Sequence, residues 1–219
     1  MIYRDNNKKQ DLVLIPGWAT DYTIFGENFL TTFAQEYNFI FLEIKDLEQP
    51  FLVIDEIQDF LNNKRPWLLK RLPSKKANLL GWSMGATLAA DYARKFGANK
   101  LFLYGIRRQY PKHEIRMIKR LLNKSIPNYL NQFYKLAAAD ELTKSYSHKF
   151  SLNFLMNGLE YLEKTEFKCD FLNKIKILKI TNALDDKIAT FKDFPDIPNT
   201  NRVTKFFIND AGHFCGIRK

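Results

Sequence analysis

The sequence predicts an α/β fold in which helices cover both faces of a mostly parallel central sheet. Short apolar runs alternate with stretches whose apolar residues recur at helical spacing, which is typical of parallel strands joined by helical crossovers. The chain has 219 residues, of which 46% are hydrophobic, so it can bury one sizeable core. We therefore expect a single domain over residues 1–219.

The predicted elements follow one another in a regular order. An apolar run at residues 11–15 predicts the first strand, and a helical pattern at 24–36 follows it. A strand at 38–43, a helix at 51–61 and a strand at 77–80 come next. The remaining predictions are a helix at 86–93 and strands at 100–104, 175–180 and 203–208.

The segment 106–174 departs from this alternation because it contains no convincing strand. Helical patterns cover residues 111–124, 127–139 and 151–162, and a proline suits the first turn of the first two. The binding sites of open parallel sheets lie at the carboxyl ends of the strands. We therefore predict that residues 106–174 form a helical cap over that edge.

One pentapeptide between a predicted strand and a predicted helix carries the clearest chemical signal. It reads Gly81-Trp82-Ser83-Met84-Gly85. This G-x-S-x-G pattern is typical of a sharp turn that holds a reactive serine in a strained backbone conformation, and the glycines let strand and helix approach closely. The alternative is an ordinary serine in a glycine-flanked turn. The flanking elements favour the serine as a candidate nucleophile.

A serine nucleophile needs a base, and the base needs an acid to orient it. His213 follows the last predicted strand, from which its imidazole could reach Ser83 across the edge of the sheet. Two neighbouring carboxylates, Asp185 and Asp186, follow the strand before it. We predict Asp185 as the acid, because of its spacing to Ile188. Asp186 is the alternative, although it also suits the N-cap of a following helix.

A tetrahedral intermediate would need hydrogen-bond donors for its oxygen anion. The backbone N–H of Met84 is one candidate, because it directly follows the nucleophile. The loop after the first predicted strand, Pro16-Gly17-Trp18, offers the backbone N–H of Trp18 as the second. A purely structural Pro-Gly turn is the alternative interpretation of this loop.

Together these motifs resemble the α/β-hydrolase superfamily over nearly the whole chain. The elbow with its tryptophan, the Gly-Trp loop and the late carboxylate and histidine resemble the pimeloyl-[acyl-carrier protein] methyl ester esterases of biotin synthesis. The resemblance implies a catalytic triad of Ser83, Asp185 and His213. It also implies that Trp18 and Trp82 line the pocket near the ester.

The resemblance predicts a serine carboxylesterase that needs no cofactor or metal. Its expected substrate is the methyl ester of pimeloyl-[acyl-carrier protein]. Pro16 stands where the family pattern usually has a histidine. Two alternatives remain: a generalist short-acyl esterase or thioesterase of the same fold, and a non-catalytic hydrolase fold that binds a partner.

Positive charge is concentrated in the predicted cap. The chain has a formal net charge of +10, and residues 105–150 contain ten basic and three acidic residues. Four of the basic residues recur every fourth position and predict a stripe along one helix: Lys112, Arg116, Arg120 and Lys124. Such a stripe is either a solvated helix face or a dock for the acidic acyl-carrier protein, with Arg116 and Arg120 as candidate contacts. Lipid headgroups are a further alternative partner for this basic surface.

Other partners and locations are disfavoured by the sequence. No zinc-ligand spacing or RNA-recognition motif supports nucleic-acid binding. No window approaches the roughly 20 apolar residues that cross a membrane, so we expect no stable membrane insertion. The polar N-terminus lacks the apolar core of a secretory signal, and two cysteines form no disulfide framework. We therefore expect a cytoplasmic location.

Overall fold

The central element of the fold is one sheet. The computed structural model describes residues 1–63, 76–138, 142–146 and 148–217, and within these ranges the sheet has seven strands. They are β1 (Ile2–Arg4), β2 (Gln10–Ile15), β3 (Tyr37–Phe41), β4 (Asn78–Trp82), β5 (Ala98–Tyr104), β6 (Ile175–Ala183) and β7 (Val203–Ile208). Their spatial order is β1-β3-β2-β4-β5-β6-β7, and only the edge strand β1 runs antiparallel to its neighbour. The predicted fold class is confirmed.

Helices flank this sheet and also fill the segment between β5 and β6. They are α1 (Glu27–Ala34), α2 (Val53–Asn63), α3 (Met84–Phe96), α4 (Lys112–Lys124), α5 (Ile126–Leu136), α6 (Thr143–Tyr146) and α7 (Leu152–Lys164). The predicted helix at 127–139 corresponds to α5, and its last residue, Ala139, lies outside the described residues. No helix in the described part of the chain combines the length and the apolar character needed to cross a membrane.

The core is centred on the middle strands of the sheet. Every residue of β4 is buried, and so are the last four residues of β2. Burial on both faces requires helices on both sides, which explains why these strands are continuous apolar runs. The edge strand β7 instead has no fully buried residue and consists of partly buried and exposed positions.

The parallel arrangement brings several loops to one edge of the sheet. Ile15 at the end of β2 is paired with Gly81 near the end of β4. Ala183 at the end of β6 is paired with Ile208 at the end of β7. The loops that follow these four strands therefore meet at the carboxyl edge, where open α/β sheets place their sites.

Candidate active site

The turn between β4 and α3 consists of a single residue, Ser83. Its backbone has φ 55° and ψ −120°, a strained conformation that costs of the order of 1–3 kcal/mol for a residue with a side chain. A Cβ on Gly81 would lie 2.2 Å from the carbonyl oxygen of Gly85, and a Cβ on Gly85 would lie 2.1 Å from that of Ile15. Strand, helix and the neighbouring loop thus approach too closely for any side chain at either glycine.

His213 connects the serine to a carboxylate. Its Nε2 lies 2.8 Å from the Ser83 hydroxyl, and its Nδ1 lies 2.7 Å from Oδ2 of Asp186. The imidazole is fully buried and Ser83 is 8% exposed. The hydrogen-bond network assigns the proton on Nδ1, which donates to the carboxylate and leaves Nε2 free to accept from the serine. The expected pairing of Ser83 with His213 is what the structure shows.

The carboxylate on His213 is Asp186 and not Asp185, which corrects the first expectation. Asp185 is exposed and turns the other way, where it accepts from the backbone N–H groups of Ala211 and Gly212 at 3.2–3.3 Å. It therefore supports the loop that carries His213 without touching the imidazole. The spacing to Ile188 did not distinguish two neighbours whose side chains leave the turn in different directions.

Asp186 faces His213 and also accepts from the backbone that follows it, although no helix begins near Lys187 for it to cap. Its Oδ1 accepts from the backbone N–H groups of Ile188 at 2.7 Å and Ala189 at 2.8 Å, while Oδ2 faces His213. Burial alone would raise the pKa of this carboxyl. The charge and hydrogen bond of His213, together with the two backbone donors, outweigh burial and leave the Asp186 pKa below its usual value. The carboxylate is therefore charged at neutral pH.

The loop after β2 passes directly beside the nucleophile. A Cβ on Gly17 would lie 2.7 Å from the Trp82 ring and 3.1 Å from Cβ of Ser83. Met84 is the first residue of α3, so its N–H belongs to the first turn, whose donors have no partner within the helix. The structure thus brings the loop that contains Trp18 and the amino end of α3 close to the serine.

The two tryptophan side chains have different surroundings. Trp82 is fully buried, stacks on Phe214 and donates from Nε1 to the carbonyl oxygen of His213 at 2.8 Å. The expectation that Trp82 lines the ester pocket is therefore wrong. Its ring is buried and packs against His213, whose position it supports. Trp18 reaches into the cap, where its Nε1 donates to the carbonyl oxygen of Leu155 at 2.9 Å.

Sequence reasoning missed one residue beside the nucleophile. Tyr110 lies in the loop between β5 and α4, where burial raises the pKa of its phenol to about 12 and the Ser83 hydroxyl lowers it in part. The guanidinium of Arg107 lies 5.0 Å from the centre of its ring. The available signal was positional, because β5 is the neighbour of β4 and the loops after both strands share one edge.

The predicted basic stripe lies on the outer face of α4. Its four residues, including Arg116 and Arg120, are exposed, whereas Ile115 and Leu122 on the opposite face are buried. The two arginines are therefore surface residues of the cap, and the structure places neither of them against the serine. In the described ranges, no group of three His, Cys, Asp or Glu side chains could hold a metal ion.

Comparison with known proteins identifies the fold. No family model and no curated protein matches the chain. Solved structures do match it: a thermophilic esterase from Thermogutta terrifontis has 15% sequence identity and a TM-score of 0.72, with 99% of this chain and 87% of that chain covered. A lipase-esterase related protein from Clostridium acetobutylicum has 16% identity and a TM-score of 0.70, covering 97% and 92%. An alpha/beta hydrolase from a Medee basin deep-sea metagenome library has 15% identity and a TM-score of 0.66, covering 97% and 86%. The chain therefore has the α/β-hydrolase fold.

Proposed function

We propose that this protein is a serine hydrolase that cleaves carboxylic esters. The observation that carries the proposal is the continuous relay from Ser83 through His213 to Asp186, with both hydrogen bonds shorter than 3 Å. The strained turn at Ser83 supports it, because such strain is typically kept where a side chain must be presented for chemistry. The esterases among the structural neighbours agree with the proposal.

The reaction follows from the geometry of the relay. Ser83 attacks the ester carbonyl while Nε2 of His213 takes the hydroxyl proton, and the charged Asp186 stabilises the resulting imidazolium. The backbone N–H groups of Trp18 and Met84 stabilise the oxygen anion. His213 then gives the proton to the departing alcohol. Water releases the acid from the serine by the same route.

Labelling with a fluorophosphonate and ester hydrolysis by the purified protein test this proposal. We expect one label at Ser83, and we expect Ser83→Ala to lose labelling and about 10⁶-fold in kcat. Ser145→Ala is the matched control, since it removes an exposed serine hydroxyl from α6. A protein that neither reacts with the probe nor hydrolyses esters would instead be a non-catalytic binding protein of this fold.

For the substrate we propose a carrier-linked acyl ester, with the methyl ester of pimeloyl-[acyl-carrier protein] as the specific candidate. The exposed stripe on α4 supports it, because acyl-carrier proteins are acidic and an exposed row of cations would attract them. Lys119 on the adjacent face already pairs with Glu163 at 2.7 Å, whereas the stripe faces solvent. A generalist esterase or thioesterase is the alternative.

Charge reversal on the stripe distinguishes an esterase specific for carrier-linked substrates from a generalist esterase. For Arg116→Glu with Arg120→Glu we expect kcat/KM on the carrier-linked ester to fall about tenfold or more at low salt, with the free methyl ester unaffected. Lys176→Glu with Lys179→Glu, two exposed residues of β6, is the control, because it also lowers the net charge by four. Equal rates on both esters, unchanged by the reversal, would contradict the carrier and favour the generalist.

A further inference from the structure

Strand β7 forms one edge of the sheet, and within the described residues no strand lies on its outer side. On its inner side, the carbonyl oxygen of Ile208 accepts from the N–H of Leu184 at 2.9 Å. Because backbone groups alternate in direction along a strand, the N–H and C=O groups of Lys205 and Phe207 point away from β6. No backbone hydrogen bond joins them to any described residue. The edge therefore offers free donors and acceptors to another strand.

Exposed apolar side chains lie on both faces of this edge. Side chains alternate along β7, so Phe206 lies on one face of the sheet and Phe207 on the other. The Phe207 ring packs edge-on against Phe191, with ring centres 5.2 Å apart, and both rings are exposed. Ten large hydrophobic residues of the described chain are exposed, and five of them lie on this side of the sheet: Ile177, Leu184, Phe191, Phe206 and Phe207. Such a concentration is typical of an interaction surface.

The area of this surface suits a protein partner. Phe206 and Phe207 are 47% and 40% exposed, and the other three residues are between 36% and 51% exposed. At the size of these side chains, the five residues together expose roughly 400 Å². A stable interface of standard size buries about 800 Å² on each partner, of which a little over half is apolar. The surface thus supplies the apolar area that one such interface needs.

The sequence of β7 is suited to antiparallel pairing with a second copy of itself. Its only charged side chain, Lys205, turns back to the chain's own loop, where Nζ donates to Oδ1 of Asn199 at 2.8 Å. A two-fold axis at Phe206 sets this ring against its own copy, which is a favourable cross-strand pair. The same register sets Lys205 opposite Phe207 of the second copy, so that their free backbone groups bond to each other. An axis at Lys205 would instead oppose two like charges.

We propose that β7 is the interface of a symmetric homodimer. Two copies of the chain pair antiparallel through this strand, which joins their two seven-stranded sheets into one continuous sheet. The contact uses the same residues on both copies, so it closes on itself and association stops at the dimer. This inference does not depend on the proposed esterase activity.

Sedimentation velocity of the full chain tests the dimer. We expect the unmodified protein to sediment at twice the mass of the chain. We expect Phe206→Glu to raise the dissociation constant about 100-fold or more, because it removes a ring from the centre of the interface and opposes two like charges. Phe51→Glu is the matched control, since it makes the same change at a phenylalanine that is 49% exposed and precedes α2. We expect it to leave the dimer intact.

Amide hydrogen exchange of the unmodified protein tests the geometry of the interface. The N–H groups of Lys205 and Phe207 should be protected in the dimer and should exchange freely once dilution gives the monomer. The N–H of Phe206 points towards β6 and should be protected at every concentration. This measurement remains decisive if Phe206→Glu does not fold, which far-UV circular dichroism would show.

Each outcome decides for or against the dimer. Dissociation by Phe206→Glu but not by Phe51→Glu, with concentration-dependent protection of both outward amides, supports the proposal. A monomer at every concentration, a larger assembly, a dimer that Phe206→Glu leaves intact or one that Phe51→Glu also dissociates would overturn it. A dimer whose outward amides exchange freely, or a monomer in which they are already protected, would overturn it as well. The proposed esterase is tested separately, by labelling of Ser83.

Discussion

The two carboxylates that could orient His213 are adjacent in the chain, and only one of them contacts the imidazole. Asp186 is buried against the imidazole, and Asp185 is exposed beside it. For Asp186→Asn we expect kcat on p-nitrophenyl acetate to fall about 10⁴-fold, because an amide cannot stabilise the imidazolium and favours the wrong tautomer. For Asp185→Asn we expect less than about a tenfold loss, because its amide oxygen can still accept from the loop N–H groups.

The neighbouring pair makes this comparison its own control. Both substitutions remove one negative charge from the same turn, so a general electrostatic effect would act on the two variants alike. Steady-state kinetics together with far-UV circular dichroism would separate a catalytic loss from misfolding. A larger loss in Asp185→Asn than in Asp186→Asn would contradict the assignment of the acid.

The sequence predicted the role of a site residue where that role depends on its position along the chain. It did not predict the role where it depends on the direction in which the side chain points. Ser83 lies in a local motif and His213 follows the end of a strand, and both features can be recognised in the sequence. The choice of Asp186 depends on how one turn directs two adjacent side chains. The position of Tyr110 depends on which strand lies beside β4, and that is a property of the assembled sheet.

At the scale of elements, the loop after β2 packs closely against a helix of the cap. A Cβ on Gly158 of α7 would lie 2.5 Å from Cδ1 of Trp18 and 3.4 Å from Sδ of Met84. Trp18 also packs edge-on against Phe133 of α5, with ring centres 5.2 Å apart. The absence of a side chain at residue 158 thus lets the cap helix lie directly against the expected oxyanion loop.

Gly158→Ala should therefore destabilise the protein even though alanine favours helices. The overpacking against Trp18 costs about 1–3 kcal/mol and opposes a helix-propensity gain of about 1 kcal/mol. Urea denaturation should show a lower free energy of unfolding, and kcat should fall because the Trp18 N–H shifts. Asn153→Ala, an exposed site on the same helix, should be neutral or slightly stabilising. A more stable Gly158→Ala with full activity would contradict the importance of this contact.

The elements themselves were predictable where burial imposes a simple pattern. Central strands such as β2 and β4 are continuous apolar runs, and α4 shows its inward face through Ile115 and Leu122. Element ends were less predictable: β6 continues to Ala183, three residues beyond the predicted end at residue 180. Its extension is stabilised by pairing with β7, a long-range contact that local sequence does not encode.

At the scale of the whole molecule, the cap is attached to the sheet through a buried carboxylate. Asp21, in the loop after β2, is 3% exposed and accepts from the Tyr146 hydroxyl at 2.8 Å and the Thr23 hydroxyl at 2.6 Å. It is also ion-paired with Lys149, which follows α6. One charged group thus connects segments that are more than a hundred residues apart in the chain.

This carboxylate should give the stability of the protein a distinct pH dependence. Burial alone would raise the Asp21 pKa, but the hydrogen bonds from Lys149, Thr23 and Tyr146 outweigh it and leave the pKa below its usual value. A carboxyl whose pKa is lowered by folding stabilises the protein fully above its unfolded pKa of about 3.9, and this contribution is lost as the pH falls through the folded pKa. The attachment of the cap should therefore weaken in acid.

Asp21→Asn tests this by removing the charge while keeping an acceptor oxygen. At pH 7 we expect a loss of about 1–3 kcal/mol in the free energy of unfolding, because the ion pair and its charged hydrogen bonds are weakened. The difference from the unmodified protein should begin to narrow below about pH 4, where the unfolded chain binds a proton that folded Asp21 does not, and should be smallest once the pH is below the folded pKa. Urea denaturation between pH 3 and pH 7 measures this difference in the free energy of unfolding. The control is Asp59→Asn, which changes an exposed residue of α2. We expect it to change the free energy of unfolding by no more than about 0.5 kcal/mol. If the difference in the free energy of unfolding stays constant over this pH range, the effect of the substitution comes from hydrogen-bond geometry. The charge of Asp21 would then not be what attaches the cap to the sheet.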